Sequence, residues 1–160
     1  MKITVKQLVR GAVIAALYAG ITIFTEAISF GPVQFRVSEA LTLLPFLMPE
    51  AVWGLTLGCL IANLFGGTVL DIIFGTLATF LAALITKKIK KLWLTPLPVI
   101  LCNGIIVGAV ITLGTYEFNF SAYAATAFSI AVSETIICYC GGIPLLAGLN
   151  QLAKKFKIFK

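Results

Sequence analysis

The sequence predicts an all-α integral membrane protein, a bundle of six transmembrane helices with both termini in the cytoplasm. The prediction depends on three observations: 60% of the 160 residues are hydrophobic, only 11% are charged, and the mean hydropathy is +1.07. A soluble domain normally has about 25% charged residues, so this chain lacks the polar surface that a water-exposed globule needs. Since one spanning helix takes about 20 residues, six spans leave no room for a soluble catalytic or nucleic-acid-binding domain.

The distribution of positive charge sets the predicted topology. Eleven of the twelve Lys and Arg residues fall into three clusters. The clusters are Lys2, Lys6 and Arg10; Lys87, Lys88, Lys90 and Lys91; and Lys154, Lys155, Lys157 and Lys160. Short basic segments stay on the cytoplasmic side of a membrane, so the number of crossings between successive clusters must be even. The net charge of +6 is therefore interpreted as a topology signal rather than as a nucleic-acid-binding surface.

The apolar runs give the positions of the six spans within a single transmembrane domain, residues 1–160. The spans are expected at roughly residues 11–29, 37–48, 51–66, 68–86, 95–115 and 121–150. The second is short, because a dozen α-helical residues extend only about 18 Å. Pro45 and Pro49 limit it further, so we expect a partial or strongly tilted crossing there. The first run, at about 19 residues, is too long for the apolar core of a cleaved signal peptide.

Ionisable and amide side chains interrupt these apolar runs, where a charge costs about 2.5–3.5 kcal/mol. In the predicted topology most of them fall in the outer half, which indicates a pocket open to the outside. They are Glu26, Arg36, Glu39, Asn63, Asp71, Asn103 and Glu134. Purely structural roles stay open: Glu26 could be solvated, Arg36 and Glu39 could form a local ion pair, and the asparagines could simply tie helices together. Glu134, near the midplane, needs a donor partner or must be neutral.

The composition argues against an enzyme and against a bound metal or cofactor. The chain has no His and no paired nucleophile and base, so neither a zinc or iron site nor covalent catalysis is expected. We interpret Cys59, Cys102, Cys138 and Cys140 as small thiols that fill the core. A phosphate-binding GxxxxGK[ST] loop is also absent from the sequence, so active transport would need an ion gradient or a separate ATPase.

The first span carries small residues four apart, at Ala12 and Ala16 and again at Ala15 and Ala19. Such stripes let helix backbones approach closely. The pattern alone fits either packing within the chain or docking against another subunit.

Two motifs make the sequence recognisable. Residues 34–39, Gln-Phe-Arg-Val-Ser-Glu, and residues 57–63, Leu-Gly-Cys-Leu-Ile-Ala-Asn, resemble the signature of the queuosine-precursor transporter (QueT) family. Asp71 and the Ser133–Glu134 pair add further matches. Members of this family are substrate-binding S components of energy-coupling factor (ECF) transporters.

The resemblance implies a six-helix, multi-pass protein of the S-component type in a prokaryotic cell membrane. S components bind a micronutrient near the outer surface and associate with a transmembrane coupling subunit and two cytoplasmic ATPases. In that family the small-residue stripe of the first helix faces the coupling subunit. Ala12 and Ala16 match this stripe best, and Ala15 and Ala19 are the further candidates. The loop Phe30-Gly31-Pro32 is a plausible lid over the ligand.

The resemblance also implies a ligand, the pre-queuosine base, a deazaguanine with a cationic aminomethyl group. We expect Glu134 at the purine edge and Glu39 or Asp71 at the ammonium. The remaining polar groups of the base would be bound by Gln34, Arg36, Asn63 and Asn103, with Tyr18, Phe35 or Tyr123 stacked on the ring. Three alternatives stay open: another purine or a thiamin-related ligand, a self-contained ion-coupled carrier, and, least favoured, a membrane enzyme.

Overall fold

The computed structural model describes residues 4–30, 34–115 and 119–156. Within these ranges the fold consists of helices, and no residue is in a β-strand. Six apolar helices of ten or more residues follow one another along the chain. They are α1, Val5–Phe24; α2, Val37–Phe46; α3, Ala51–Gly66; α4, Asp71–Thr86; α5, Leu92–Gly114; and α6, Phe120–Lys155.

Helix α1 begins at Val5, where the sequence pattern suggested residue 11, because a capping box stabilises its first turn. The Thr4 side chain accepts from the backbone of Gln7, and the Gln7 side chain accepts from the backbone of Thr4 at 3.0 Å. The helix ends at Phe24, and a short helix, Glu26–Ser29, follows it. The predicted first span is therefore divided between two helices.

Helix α2 is a 3₁₀ helix of ten residues with Pro45 inside it. A 3₁₀ helix rises about 2.0 Å per residue, so α2 extends about 20 Å. It is a short element, as its prolines predicted. Helices α1, α5 and α6 are long and apolar enough to cross a bilayer, whereas α2, α3 and α4 are shorter apolar helices. The complete set of six crossings and the cytoplasmic location of the termini stay predictions.

Helices α1 and α3 pack parallel and unusually close. A Cβ added at Gly54 would lie 2.6 Å from the carbonyl oxygen of Gly11, and one at Gly58 would lie 2.7 Å from that of Ala15. Any side chain larger than hydrogen at these two positions would therefore push the helices apart. The contact fixes α1 beside α3 along most of its length.

The basic ends of several helices meet at one end of the bundle. Gln7 of α1, Glu50 of the α2–α3 turn and Lys87 at the end of α4 line one cavity of about 200 Å³. The ion pair between Arg10 and Glu50, with a nitrogen–oxygen distance of 3.2 Å, joins α1 to the α2–α3 turn. Arg10 of the first basic cluster and Lys87 of the second therefore lie at the same end of the bundle.

The core lies between all six helices, with Val99 as the buried contribution of α5, and its largest buried apolar side chains are Tyr18, Leu43, Leu55 and Leu146. Large apolar side chains also cover the outside: Phe24 is 93% exposed, Phe65 73% and Phe128 72%. Contiguous apolar surface of this kind is costly in water and is typical of a protein whose solvent is lipid.

Candidate functional site

The candidate polar residues lie on irregular parts of the helices. Asp71 begins a π-helical turn in α4, Asn103 begins one in α5, and Glu134 lies three residues before the one that begins at Ile137 in α6. Glu39 lies in the first turn of the 3₁₀ helix α2. π-Helical turns inside α-helices often mark functional sites, because they shift the direction of nearby side chains.

Glu39 is held by a tyrosine from another helix. The Tyr18 hydroxyl donates to Glu39 Oε1 at 2.5 Å, and both side chains are almost fully buried. The second carboxylate oxygen, Glu39 Oε2, is buried and has no hydrogen-bond partner. Tyr18 was a candidate for stacking on a ligand, whereas its hydroxyl orients Glu39. Sequence spacing gives no signal for this contact, since the two residues are on different helices.

Arg36 contacts the end of the short helix that follows α1. Its Nε donates to the carbonyl oxygen of Ser29 at 3.3 Å, and its guanidinium lies 4.8 Å from the centre of the Phe30 ring. Its Nη2 is buried and has no hydrogen-bond partner. A simple ion pair between Arg36 and Glu39 does not account for the site, because Arg36 Nη2 and Glu39 Oε2 both lack partners. Arg36 nevertheless interacts electrostatically with Glu39 and Asp71.

Asn63 and Asp71 form a second pair at the α3–α4 connection. Asn63 Nδ2 donates to the backbone oxygen of Asp71 at 2.9 Å. Asp71 Oδ2 accepts from the backbone and the hydroxyl of Thr68, at 2.9 and 2.8 Å. The Thr-x-x-Asp spacing is a capping pattern that could have predicted the role of Thr68. The remaining oxygens, Asn63 Oδ1 and Asp71 Oδ1, are buried and have no hydrogen-bond partner.

Glu134, in contrast, has contacts at both oxygens. Asn103 Nδ2 donates to its Oε1 at 2.8 Å, and the Cys138 sulfur lies 3.8 Å from its Oε2. Cys138 also lies 3.8 Å from the backbone oxygen of Glu39, so one thiol connects α6 with α2. Glu134 interacts electrostatically with Glu39 and Arg36. The sequence predicted core packing for this cysteine and gave no signal for its contacts with the carboxylates.

All seven candidate substrate-binding residues are buried: Gln34, Arg36, Glu39, Asn63, Asp71, Asn103 and Glu134. Among the residues that the structure describes, five buried side-chain polar atoms lack hydrogen-bond partners. Four of these five belong to Arg36, Glu39, Asn63 and Asp71. Native proteins leave few buried polar atoms unpaired, so this concentration indicates a place where a polar ligand completes the hydrogen bonding.

The remaining candidates have various positions. Gln34 is buried and has a φ of 45°, a left-handed conformation that is uncommon for a residue with a side chain. Tyr123 directs its hydroxyl to the backbone oxygen of Ile105 at 3.4 Å. Gly31 and Pro32 of the expected lid lie outside the described residues. Over the described ranges, no group of three or more His, Cys, Asp or Glu side chains is arranged to hold a metal ion.

The small residues of α1 divide between two faces. Ala15 and Ala19 are buried, 7% and 6% exposed, on the side where α1 approaches α3. They therefore do not belong to the exposed stripe, and the docking role expected for the four alanines stays a prediction. Ala12 and Ala16 are exposed. An open groove of about 290 Å³ continues from Ala16 past Gly20 to Phe24.

Apolar helices with a lipid-type exterior, arranged around buried polar side chains with unpaired atoms, indicate a membrane protein. A profile of the QueT transporter family matches residues 8–151, most of the chain. The chain belongs to the QueT transporter family. The description of this family is that of a transporter family.

A curated relative and the solved structures complete the comparison. The queuosine precursor transporter QueT of Lactococcus lactis subsp. cremoris (strain MG1363) is 43% identical over 70 residues. The aligned region spans 42% of this chain and 41% of the length of that relative. No solved structure matches the chain significantly.

Proposed function

We propose that this protein is the substrate-binding S component of an ECF-type importer. It captures the pre-queuosine base, a cationic deazaguanine, from outside the cell and delivers it inward with partner ATPases. Membership of the QueT family and the name of the Lactococcus relative support the ligand class. The observation that carries the proposal is the set of unpaired buried atoms on Arg36, Glu39, Asn63 and Asp71.

The chemistry of the base fits these atoms. The set contains one hydrogen-bond donor, on Arg36, and three acceptors, on Glu39, Asn63 and Asp71. A deazaguanine offers a carbonyl acceptor and several N–H donors, and its aminomethyl group adds three more donors and a positive charge. A cationic ligand is favoured, because Arg36 lies among three acidic side chains, Glu39, Asp71 and Glu134. An anionic ligand would find one basic side chain among three acidic ones.

The test of ligand identity is calorimetric titration of the purified protein in detergent. We expect saturable binding of pre-queuosine base, with guanine, adenine and thiamin competing weakly or not at all. Tight binding of another purine or of thiamin, with no binding of pre-queuosine base, would contradict the proposed ligand and support the alternative one.

The partners of the proposed complex are a transmembrane coupling subunit and two cytoplasmic ATPases. The exposed small side chains of Ala12 and Ala16, beside the groove on α1, offer a smooth surface for a partner helix in the bilayer. In the proposed orientation the chain crosses the plasma membrane of a prokaryotic cell six times, and both termini lie in the cytoplasm.

Reconstitution into liposomes tests the coupling. We expect uptake of labelled ligand only when the coupling subunit and ATPases are present with ATP inside the vesicle. Uptake by this chain alone, driven by an ion gradient, would contradict the proposal and support the self-contained carrier. Labelling of single cysteines introduced near residues 4 and 156, in sealed vesicles of known orientation, tests the location of both ends.

A further inference from the structure

We propose that the site divides the ligand between two pairs of side chains. Arg36 and Glu39 bind the lactam edge of a heterocycle, where a carbonyl and an N–H are adjacent, and Asn63 and Asp71 hold a cationic amino group on the same ligand. The inference rests on the proposed function and goes further, because it assigns each ligand group to named atoms. It depends on which buried atoms are free and on what already occupies the others.

The first pair offers one donor and one acceptor. Arg36 Nη2 and Glu39 Oε2 are free, whereas Arg36 Nε is engaged by Ser29 and Glu39 Oε1 by Tyr18. These contacts, with the Phe30 ring beside the guanidinium, fix both side chains before a ligand arrives. A donor next to an acceptor is complementary to a lactam, in which a carbonyl is adjacent to an N–H. A ligand edge with acceptors alone would leave the buried Glu39 oxygen unpaired.

The second pair offers two acceptors. Asn63 Oδ1 and Asp71 Oδ1 are free, while the donor of Asn63 and the second oxygen of Asp71 are already used within the protein. The Asn63–Asp71 backbone contact holds the two residues together. Two acceptors on residues joined by a hydrogen bond, one of them a carboxylate, fit a group that has several N–H donors and a positive charge. An ammonium has three such donors, and charge-assisted hydrogen bonds are about twice as strong as neutral ones.

Glu134 takes neither role in this assignment. Its oxygens contact Asn103 and Cys138, and Cys138 in turn contacts the backbone of Glu39. Glu134 is therefore a positioning residue, which acts on Glu39 through Cys138. The family resemblance had suggested Glu134 for the purine edge, and its position near the midplane indicated that it needs a donor partner. The partner that the structure provides is Asn103.

The test combines two variants with two ligands in calorimetric titrations. The ligands are pre-queuosine base and 7-deazaguanine, which has the same lactam edge but no aminomethyl group. The wild type is expected to prefer the aminomethyl ligand at least tenfold. Asp71→Asn should weaken binding of the aminomethyl ligand about 10- to 100-fold and change 7-deazaguanine binding less than about threefold, so the preference disappears. Glu39→Gln should weaken both ligands by similar factors and leave the preference intact.

Matched variants control for folding and for charge. Glu50→Gln makes the same chemical change at the opposite end of the bundle, beside Arg10, and should leave both affinities unchanged. Asp71→Asn keeps an oxygen that can accept from Thr68, so the cap of α4 survives. If Asp71→Asn does not fold, Thr68→Val replaces it: Thr68 is exposed, and losing its hydroxyl removes one of the two hydrogen bonds that hold Asp71 Oδ2, while the bond from the Thr68 backbone stays. This variant should reduce the preference by a smaller factor, about three- to tenfold.

The possible outcomes separate the two proposals. A wild type that binds neither ligand overturns the proposed function, and the division of the ligand with it. A wild type that binds, combined with equal losses for both ligands in Asp71→Asn, overturns the division alone. Loss of the preference in Glu39→Gln rather than in Asp71→Asn also overturns the division, because it would put the ammonium at Glu39.

Discussion

The hydrogen bond between Tyr18 and Glu39 gives a prediction that needs no ligand. Tyr18→Phe removes the hydroxyl that donates to Glu39 Oε1 at 2.5 Å and leaves the packing of the ring unchanged. Since Glu39 Oε2 already lacks a partner, the variant leaves both oxygens of a buried carboxylate without the protein donors that could stabilise them. Leaving a buried polar group without its hydrogen-bond partner costs about 1–3 kcal/mol, so we expect the free energy of unfolding to fall by that amount.

The assay is unfolding of the detergent-solubilised protein, followed by circular dichroism as denaturant is added. Tyr139→Phe is the matched control, because the hydroxyl of Tyr139 donates to the backbone oxygen of Trp93 at 3.1 Å in an exposed position. Its loss should cost under about 1 kcal/mol, as for other neutral and exposed hydrogen bonds. The two variants are chemically identical changes, so their difference isolates the buried carboxylate.

A double-mutant cycle between Tyr18→Phe and Glu39→Met completes the test. The variant with both changes has no buried carboxylate to satisfy, so the two single effects should not add. We expect a coupling energy of at least about 1 kcal/mol. Additive effects within about 0.5 kcal/mol, or equal losses in Tyr18→Phe and Tyr139→Phe, would refute the reasoning that Tyr18 orients Glu39.

Three further predictions concern the frame around the site. Gly58→Ala should lower the free energy of unfolding by about 1–3 kcal/mol, because the added Cβ would lie 2.7 Å from a backbone oxygen of α1. The control, Gly148→Ala, has open space around the added Cβ and should be neutral or stabilising. Ala16→Leu should leave ligand affinity unchanged and weaken co-purification with the coupling subunit, because it fills the groove on α1. Undiminished co-purification would remove the groove from the docking surface. Glu50→Gln should cost under about 1 kcal/mol in the same unfolding assay, since its partner Arg10 is partly exposed and solvent screens the pair.

The helical architecture could be predicted from the sequence because hydropathy is a local property. Six apolar runs gave six apolar helices at nearly the expected positions, and the prolines of the second gave a short one. The 3₁₀ geometry of α2 and the π-helical turns of α4, α5 and α6 had no such signal. Those departures depend on contacts between helices, which a single linear pattern does not contain.

The two alanine pairs of α1 show the same limit at the level of side chains. Ala12 and Ala16 repeat the spacing of Ala15 and Ala19, yet one pair is exposed and the other is buried. The difference comes from the position of α3, whose glycines accept the backbone of α1. Spacing identifies a smooth face, but only the neighbouring helix determines which face is used inside the fold.

The candidate site came from one physical argument, because the cost of burying polar atoms is large and independent of the fold. That cost singled out seven residues that need an explanation: Glu26, Arg36, Glu39, Asn63, Asp71, Asn103 and Glu134. Four of the seven, Arg36, Glu39, Asn63 and Asp71, keep one unpaired buried atom each in the structure. What sequence could not give was the internal partner of each remaining atom, such as Tyr18 for Glu39, since these partners come from other helices.

The unpaired atoms connect the stability of the fold with the selectivity of the site. A buried polar atom without a partner costs about 1–3 kcal/mol, so a ligand that pairs all four can recover about 4–12 kcal/mol. That range includes the approximately 8 kcal/mol of a micromolar complex and the approximately 12 kcal/mol of a nanomolar one. An analogue that lacks one matching group forfeits one of the four terms, which is a loss of about 5- to 150-fold in affinity. In the proposed site, selectivity would follow from the frame that holds the four atoms, because Tyr18, Ser29 and Thr68 are hydrogen-bonded to Glu39, Arg36 and Asp71 and restrict these side chains.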